Sequence, residues 1–269
     1  MVLLIACPLA ADGQPTSVQL KLLPQETIQR RLETVVPKIA ARRATLESLF
    51  QEVGCRDERL ASQKVSGTRF PNLICTLPGN DPGAGMIVAG AHFDHIGGGI
   101  GAVDDWSGVV LLPSLYQSLA VRPRRHTFVF AAFSAEHRDM AGSTEFVYRL
   151  SKPQKRSIRA MMNLESLGLT VPQVWALRAN KGLLDAYNSV ARSMDLDVRV
   201  SNFNRLMDDD TQPFLNARIP VITIHSLTTQ TMGFHHNPRD QLNAIDEKNY
   251  YEAYRLVAAF LAYLDSLPN

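Results

Sequence analysis

Histidines and carboxylates in this chain stand directly after apolar runs of strand length. His92, Asp94 and His95 follow the run at 86–91, Glu136 and His137 the run at 126–133, and Glu165 the run at 160–164. Asp208, Asp209 and Asp210 come after a run ending at 203, and His235, His236 and Asp240 after the run at 220–225. Another acidic pair, Asp104 and Asp105, opens a helical stretch beyond Gly97, Gly98, Gly99 and Gly101. Imidazole and carboxylate are the donors that suit zinc and similar transition metals. A lone His after a strand is ordinarily structural or solvated, and Asp208 to Asp210 alone would read as a solvated loop or helix cap. Five separate strand ends that all carry metal-type groups outweigh coincidence and predict a metal site.

The elements that must position these groups alternate. Strand runs at 86–93, 126–134, 160–166, 174–179, 198–203 and 220–226 are interleaved with helical spacing from 107, at 141–150 and at 183–194. Several strand runs are apolar on both faces, as strands covered by helices on each side must be. This predicts an α/β fold of three layers, α/β/α, with a mixed, mostly parallel central sheet. In such sheets ligands bind beyond the carboxyl ends of the strands, where the polar residues fall. Upstream, helices at 25–36 and 38–53 are separated by Pro37, and strands at 60–65 and 72–77 form an antiparallel hairpin at a sheet edge. A terminal helix with Tyr250, Tyr254, Val257, Leu261 and Leu264 on one stripe closes one side of the core. Ser107 is expected to cap the helix that it opens, and Trp106 to line a pocket or pack on the sheet. The basic run 122–126 reads as a solvated turn whose charge suits a helix C-terminus.

The segments Ala91-His92-Phe93-Asp94-His95, Gly101-Ala102-Val103-Asp104-Asp105-Trp106-Ser107-Gly108, Ser134-Ala135-Glu136-His137 with Ala141-Gly142-Ser143, Met162-Asn163-Leu164-Glu165 and His236-Asn237-Pro238-Arg239-Asp240 resemble, in order and separation, the motif series of the zinc exopeptidases typified by bacterial leucyl aminopeptidase. Glutamate carboxypeptidases and glutaminyl cyclases are relatives within that family. The resemblance runs from about residue 72 to the end of the chain. It implies that Asp104 bridges two zinc ions, with His92 and Glu165 completing one site and His137 and His236 the other. It implies that Asp94 orients the imidazole of His92 and that Glu136 is the general base, and it places an often-cis bond at Asp104-Asp105. The expected activity is removal of N-terminal residues from peptides with a free amino end, using a metal-activated water.

Two departures bear on that activity. The family usually has Glu where His137 stands, so Asp104 and Glu165 leave two negative charges against four positive ones, which predicts a weak second metal or only one. Thr211 replaces a His common in the family segment Asp-His-x-x-Phe. The runner-up is therefore a single-zinc aminoacyltransferase resembling glutaminyl cyclases, and a third reading is a peptide-binding relative with impaired catalysis. The glycines at 97–101 precede no Lys-Ser or Lys-Thr pair, so they serve to let the chain turn close to the metals rather than to cradle phosphate.

Composition narrows the rest. With 45% hydrophobic and 20% charged residues and a net charge of +2, the chain has material for a sizeable core and no electrostatic footprint of a nucleic-acid binder. No apolar run is long enough to span a bilayer. Residues 1–23 are expected to be a tail or the remnant of a signal, and 24–269 a single catalytic domain. Leu4-Ile5-Ala6-Cys7 resembles a lipoprotein signal box in which Cys7 would carry a lipid anchor; a disordered tail or a start codon assigned too late is the equal alternative. Export to the periplasm or beyond is favoured slightly over the cytoplasm. Cys55 and Cys75 are placed for either a bridge or two buried thiols.

Overall fold

The apolar runs become strands of one eight-stranded sheet in a computed structural model that describes residues 2–7, 16–201 and 208–268. In chain order the strands are β1 (Val2–Cys7), β2 (Thr16–Lys21), β3 (Leu60–Gln63), β4 (Asn72–Leu77), β5 (Met86–His92), β6 (Thr127–Phe133), β7 (Ile158–Glu165), β8 (Gln173–Trp175), β9 (Arg199–Ser201) and β10 (Val221–His225). The main sheet runs β3-β4-β6-β5-β7-β10-β8-β9. Its centre, β6, β5, β7 and β10, is parallel, so all four carboxyl ends emerge on one edge. The expected β3–β4 hairpin lies at one margin. At the other, β8 runs antiparallel to β10, and β9 runs parallel to β8.

The helices are α1 (Gln25–Leu32), α2 (Ile39–Glu52), α3 (Ser107–Val109), α4 (Leu111–Ala120), α5 (Ala141–Arg149), α6 (Lys152–Ser157), α7 (Lys181–Ser193), α8 (Gln212–Asn216) and α9 (Glu247–Ser266). Strand alternation divides the core between the two faces of the sheet. Leu73, Ile87, Phe128, Phe130, Met162 and Ile222 pack with α1, α2, α4, α7 and α9. Ile74, Val88, Val129, Phe133, Met161 and Val221 pack with Phe146 and Val147 of α5 and Phe214 of α8. The three-layer expectation therefore holds. The predicted stripe of α9 is buried, but so are Ala253, Ala258, Ala259 and Phe260. That helix is enclosed by α1, α4, α7 and β2 rather than laid on the surface.

Within the stretch 1–23, expected to be a tail or the remnant of a signal, residues 2–7 and 16–21 pair as antiparallel strands, Cys7 opposite Thr16. Leu20 and Leu22 lie in the core and β2 lies against α9, so apolar burial carries the ordered fold upstream of residue 24. The basic run 122–126 is tied down rather than solvated. Arg124 does bond the last carbonyls of α4, but the carboxylate of buried Asp265 accepts from the amides of Arg125 and His126, and His126 is 2% exposed. Ser107 does not cap its helix: its hydroxyl bonds the carbonyl of Val103, and Asp105 accepts from Gly108 N instead. Trp106 packs fully buried, its Nε1 donating to the carbonyl of Leu32.

Of the two states left open for Cys55 and Cys75, the structure has the disulfide, across a sequence separation of 20. It joins the end of α2 to β4. Replacing both by Ala is expected to cost about 3 kcal/mol in urea unfolding, the usual effect of opening a loop of roughly this length. An unchanged midpoint would show that no bridge forms. Among the described residues no helix is long and apolar enough to cross a membrane.

Candidate metal centre

Asp104 is the point on which the site converges. It lies in the segment Ala102–Trp106 between β5 and α3, where the backbone leaves helical geometry at Asp104 and Asp105 and the peptide bond between them is cis. Two carboxylates, one within that segment and one from the 236–240 loop, hold it in place. Asp105 accepts from the amides of His92, Gly108 and Ser166, joining the ends of β5 and β7 to α3. Asp240 accepts from the amides of Val103 and Asp104, bringing the 236–240 loop alongside. The glycines make this approach feasible. At Gly97, with φ +87°, a side chain would stand 2.6 Å from the carbonyl oxygen of His236, and at Gly99 one would stand 2.6 Å from that of Asp240.

Around the Asp104 carboxylate four imidazoles close in. His92 Nε2 is 3.2 Å from Oδ1, while Nε2 of His235, His236 and His137 are 3.2, 3.2 and 3.5 Å from Oδ2. None of these approaches has hydrogen-bond geometry, and both Asp104 oxygens are buried without a partner among the described residues. Buried polar atoms are normally satisfied, so an orphaned carboxylate ringed by ring nitrogens has the donor set and the spacing of a cation site. Glu165 extends the cluster, with Oε1 3.7 Å from His92 Nε2 and its carboxylate held by Asn163 and the Ser166 hydroxyl.

The tautomers follow from the partners. His92 Nδ1 lies 3.0 Å from the backbone carbonyl of Asp94, which can only accept, so Nδ1 carries a proton and Nε2 is the atom turned toward Asp104 and Glu165. His137 Nδ1 faces Asp94 Oδ2 at 3.2 Å, which likewise leaves its Nε2 turned inward. This refines the expected role of Asp94. Its carboxylate stands 3.9 Å from His92 Nδ1 and instead accepts from the amides of Glu136 and His137 and from the His137 ring. Asp94 thus touches His92 through its backbone and His137 through its side chain.

Electrostatics agree with an acidic, desolvated cluster. Burial works to lower the imidazoles, but Asp104 and Glu165 hold His92 well above its usual value, and Asp104 and Asp94 raise His137 to about 10. Burial pushes against ionised Asp104, yet His137, His236 and His92 keep it well below the usual carboxylate range. With no such partner to dominate, burial raises Glu136 to about 8 and Asp210 to about 7. Cations bound here would replace the protons on His92 and His137.

All seven residues singled out from the sequence, His92, Asp94, Asp104, Glu136, His137, Glu165 and His236, come together. Glu136, His137, Glu165 and His236 border a cleft of about 570 Å³, which continues past Ile96, Trp175, Leu227 and Met232. The Asp208 to Asp210 run divides. Asp208 is exposed and paired with Arg178 at 2.9 Å. Asp209 and Asp210 are buried, bonded to Thr211 and Thr223 and to Ser143 respectively. They are no solvated loop. Thr211 is buried on Asp209 and does not border the cleft.

The sequence left two members without a role. His235 stands among the metal-type groups after the run at 220–225 but receives no ligand role, because the family motif begins at His236. Two consecutive imidazoles were the available signal, but a strand-like backbone would have sent them to opposite sides. Arg42 gave no signal in the sequence. Its guanidinium is fully buried, donates to the carbonyls of Val36, Phe93, Ile100 and Gly101, and lies over Trp106. It braces the glycine loop and offsets the acidic cluster, with Asp240 and Asp104 its leading anionic neighbours.

Comparison with known proteins gives a consistent picture. The sequence profile of Peptidase family M28 matches residues 72–261. Leupeptin-inactivating enzyme 1 of Streptomyces exfoliatus is 28% identical over 159 residues, covering 58% of this chain and 36% of that protein. Aminopeptidase YwaD of Bacillus subtilis is 24% identical over 234 residues, covering 83% and 50%. The chain thus spans half or less of the length of these curated relatives. Among solved structures, an Acidobacteriales bacterium glutaminyl cyclase superposes with a TM-score of 0.73 at 18% identity, over 90% of this chain and 93% of that one, a likeness of fold.

Proposed function

The chain belongs to Peptidase family M28, and from that premise we propose that it is a zinc-dependent exopeptidase removing residues from the free amino end of peptides. The observation that carries this reading is the buried Asp104 carboxylate, without a hydrogen bond among the described residues and ringed by inward-facing imidazoles, beside a cleft that also holds Glu136. His92 and Glu165 with Asp104 would hold one zinc, and His137 and His236 with Asp104 a second. Zinc supplies polarisation of the scissile carbonyl and a water that ionises near neutral pH.

The chain's own residues do the rest. Asp94 keeps His137 in the tautomer that turns Nε2 inward, and the carbonyl of Asp94 does the same for His92. Glu136, desolvated at the cleft, takes the proton of the attacking water and delivers it to the departing amine. Ile96, Trp175, Leu227 and Met232 offer the side chain of the released residue an apolar wall. The Cys55–Cys75 bridge supports an exported protein, since disulfides persist in oxidising compartments.

Zinc-loaded protein is expected to release N-terminal residues from amino-acyl p-nitroanilides and from peptides, to lose that activity to a chelator, and to regain it with zinc. No turnover across such a panel would sink the proposal. One observation favours a second reading. His137 lowers the negative charge at the second cation position, and a site with a single zinc suits a glutaminyl-cyclase-like aminoacyltransferase. Pyroglutamate formed from Gln-peptides, together with one equivalent of zinc, would select it.

A further inference from the structure

We propose that His235 is a metal ligand, so that the second cation position is built from three imidazoles, His137, His235 and His236, and the shared Asp104 carboxylate. The inference rests on the metallopeptidase reading above and changes what that reading implies for the second ion. Replacement of a carboxylate at 137 predicts a weak or vacant second site if His137 and His236 are its only other donors. A third imidazole restores a four-donor set.

The backbone explains how two neighbours in sequence serve one point. His236 has φ +53°, the left-handed conformation that non-glycine residues seldom adopt, and the residue before it is extended. The resulting turn puts both rings on the same side, with centroids 3.9 Å apart and planes 32° from parallel. Both Nε2 atoms then stand 3.2 Å from Asp104 Oδ2. His137 Nε2 is 2.9 Å from His236 Nε2 and 3.5 Å from the same oxygen. A tetrahedral zinc with ligand distances of about 2.0–2.1 Å spaces its donors about 3.3 Å apart, and these separations scatter around that value.

Nothing else engages the His235 ring: among the described residues it makes no hydrogen bond, only the approach to Asp104 and the stacking on His236. Three neutral imidazoles and one carboxylate favour zinc, cobalt, nickel or copper over magnesium, manganese or calcium, which prefer oxygen donors. The bland alternative is that His235 only packs against His236. His235→Phe separates the two, because it keeps the stacked ring and removes the donor.

Titration of the metal-free protein with zinc is expected to give two equivalents in the wild type. In His235→Phe the first should bind as before and the second should weaken by about a hundredfold or more, since losing even an outer partner of a ligand costs 10–100-fold. On wild-type protein with ¹⁵N-labelled histidine, Nε2 of His235 should shift to the metal-bound range on addition of the second equivalent, a measurement that does not depend on a variant folding. Equal second-site affinity in wild type and His235→Phe, or a His235 Nε2 resonance that zinc leaves in place, overturns the assignment. A single equivalent in the wild type also overturns it while leaving a one-zinc enzyme standing. A wild type that binds no zinc overturns both this inference and the reading beneath it, whereas two bound equivalents without peptide turnover overturn only the latter.

Discussion

Glu136→Gln is expected to lower kcat for peptide hydrolysis by about 10²–10⁴-fold, the contribution of a positioned acid–base group, with KM and zinc content nearly unchanged. The substitution keeps size and polarity and removes only the ability to take and return a proton. Glu136 is suited to that task by its setting. Its amide is anchored on Asp94 Oδ1, its carboxylate lies 3.4 Å from His137 Nδ1, and burial raises it to about 8. The neighbouring His92 and His137 act in the opposite direction and favour its ionised form. Steady-state kinetics on one good peptide, with metal analysis of the same samples, checks the expectation. A variant that retains most of the wild-type kcat would remove Glu136 from the mechanism.

Asp104→Asn should have the larger effect, loss of zinc from both positions and of turnover to below detection. Among the described residues Asp104 is the only carboxylate that all four imidazoles approach, Oδ1 facing His92 and Oδ2 the other three. An amide offers one weaker neutral acceptor and, on the other side, an NH₂ directed at lone pairs. The two positions therefore fail together, whereas His92→Ala should empty mainly one and His236→Ala mainly the other. Zinc content after dialysis and circular dichroism of the variant separate metal loss from misfolding. A folded Asp104→Asn protein that keeps two equivalents would show that the residue does not bridge. Both variants change a charged group in a desolvated place, where replacement is not buffered by water, and this is why their effects should exceed that of opening the disulfide.

Much of this architecture could be read before any coordinates, because it depends on local regularities. An apolar run of five to eight residues flanked by turn residues is a strand wherever it lies, and alternation with helical spacing makes the sheet parallel at its centre. Parallel strands share a carboxyl edge, so His92, Glu165 and the 134–137 turn had to meet once β5, β6 and β7 were neighbours. Residue type at those positions then announced a metal. The same reasoning failed where burial is set by distant partners. Residues 16–22 carry no strong signal, yet Leu20 and Leu22 are covered by an ordered core, and His126 is drawn inside by Asp265 from the far end of the chain.

What the sequence alone determined, then, is the order of elements, the edge on which the chemistry gathers and the kinds of donor present there. Only the folded chain decided which donors share an oxygen, that Asp94 directs its carboxylate to His137, that Arg42 braces the glycine loop, and that His235 points the same way as His236. The reason is geometric. Periodicity and composition fix which elements form and which face of each is apolar, but a ring's direction hangs on one backbone angle and a buried charge on neighbours a hundred residues away, and neither is encoded in any short window of sequence.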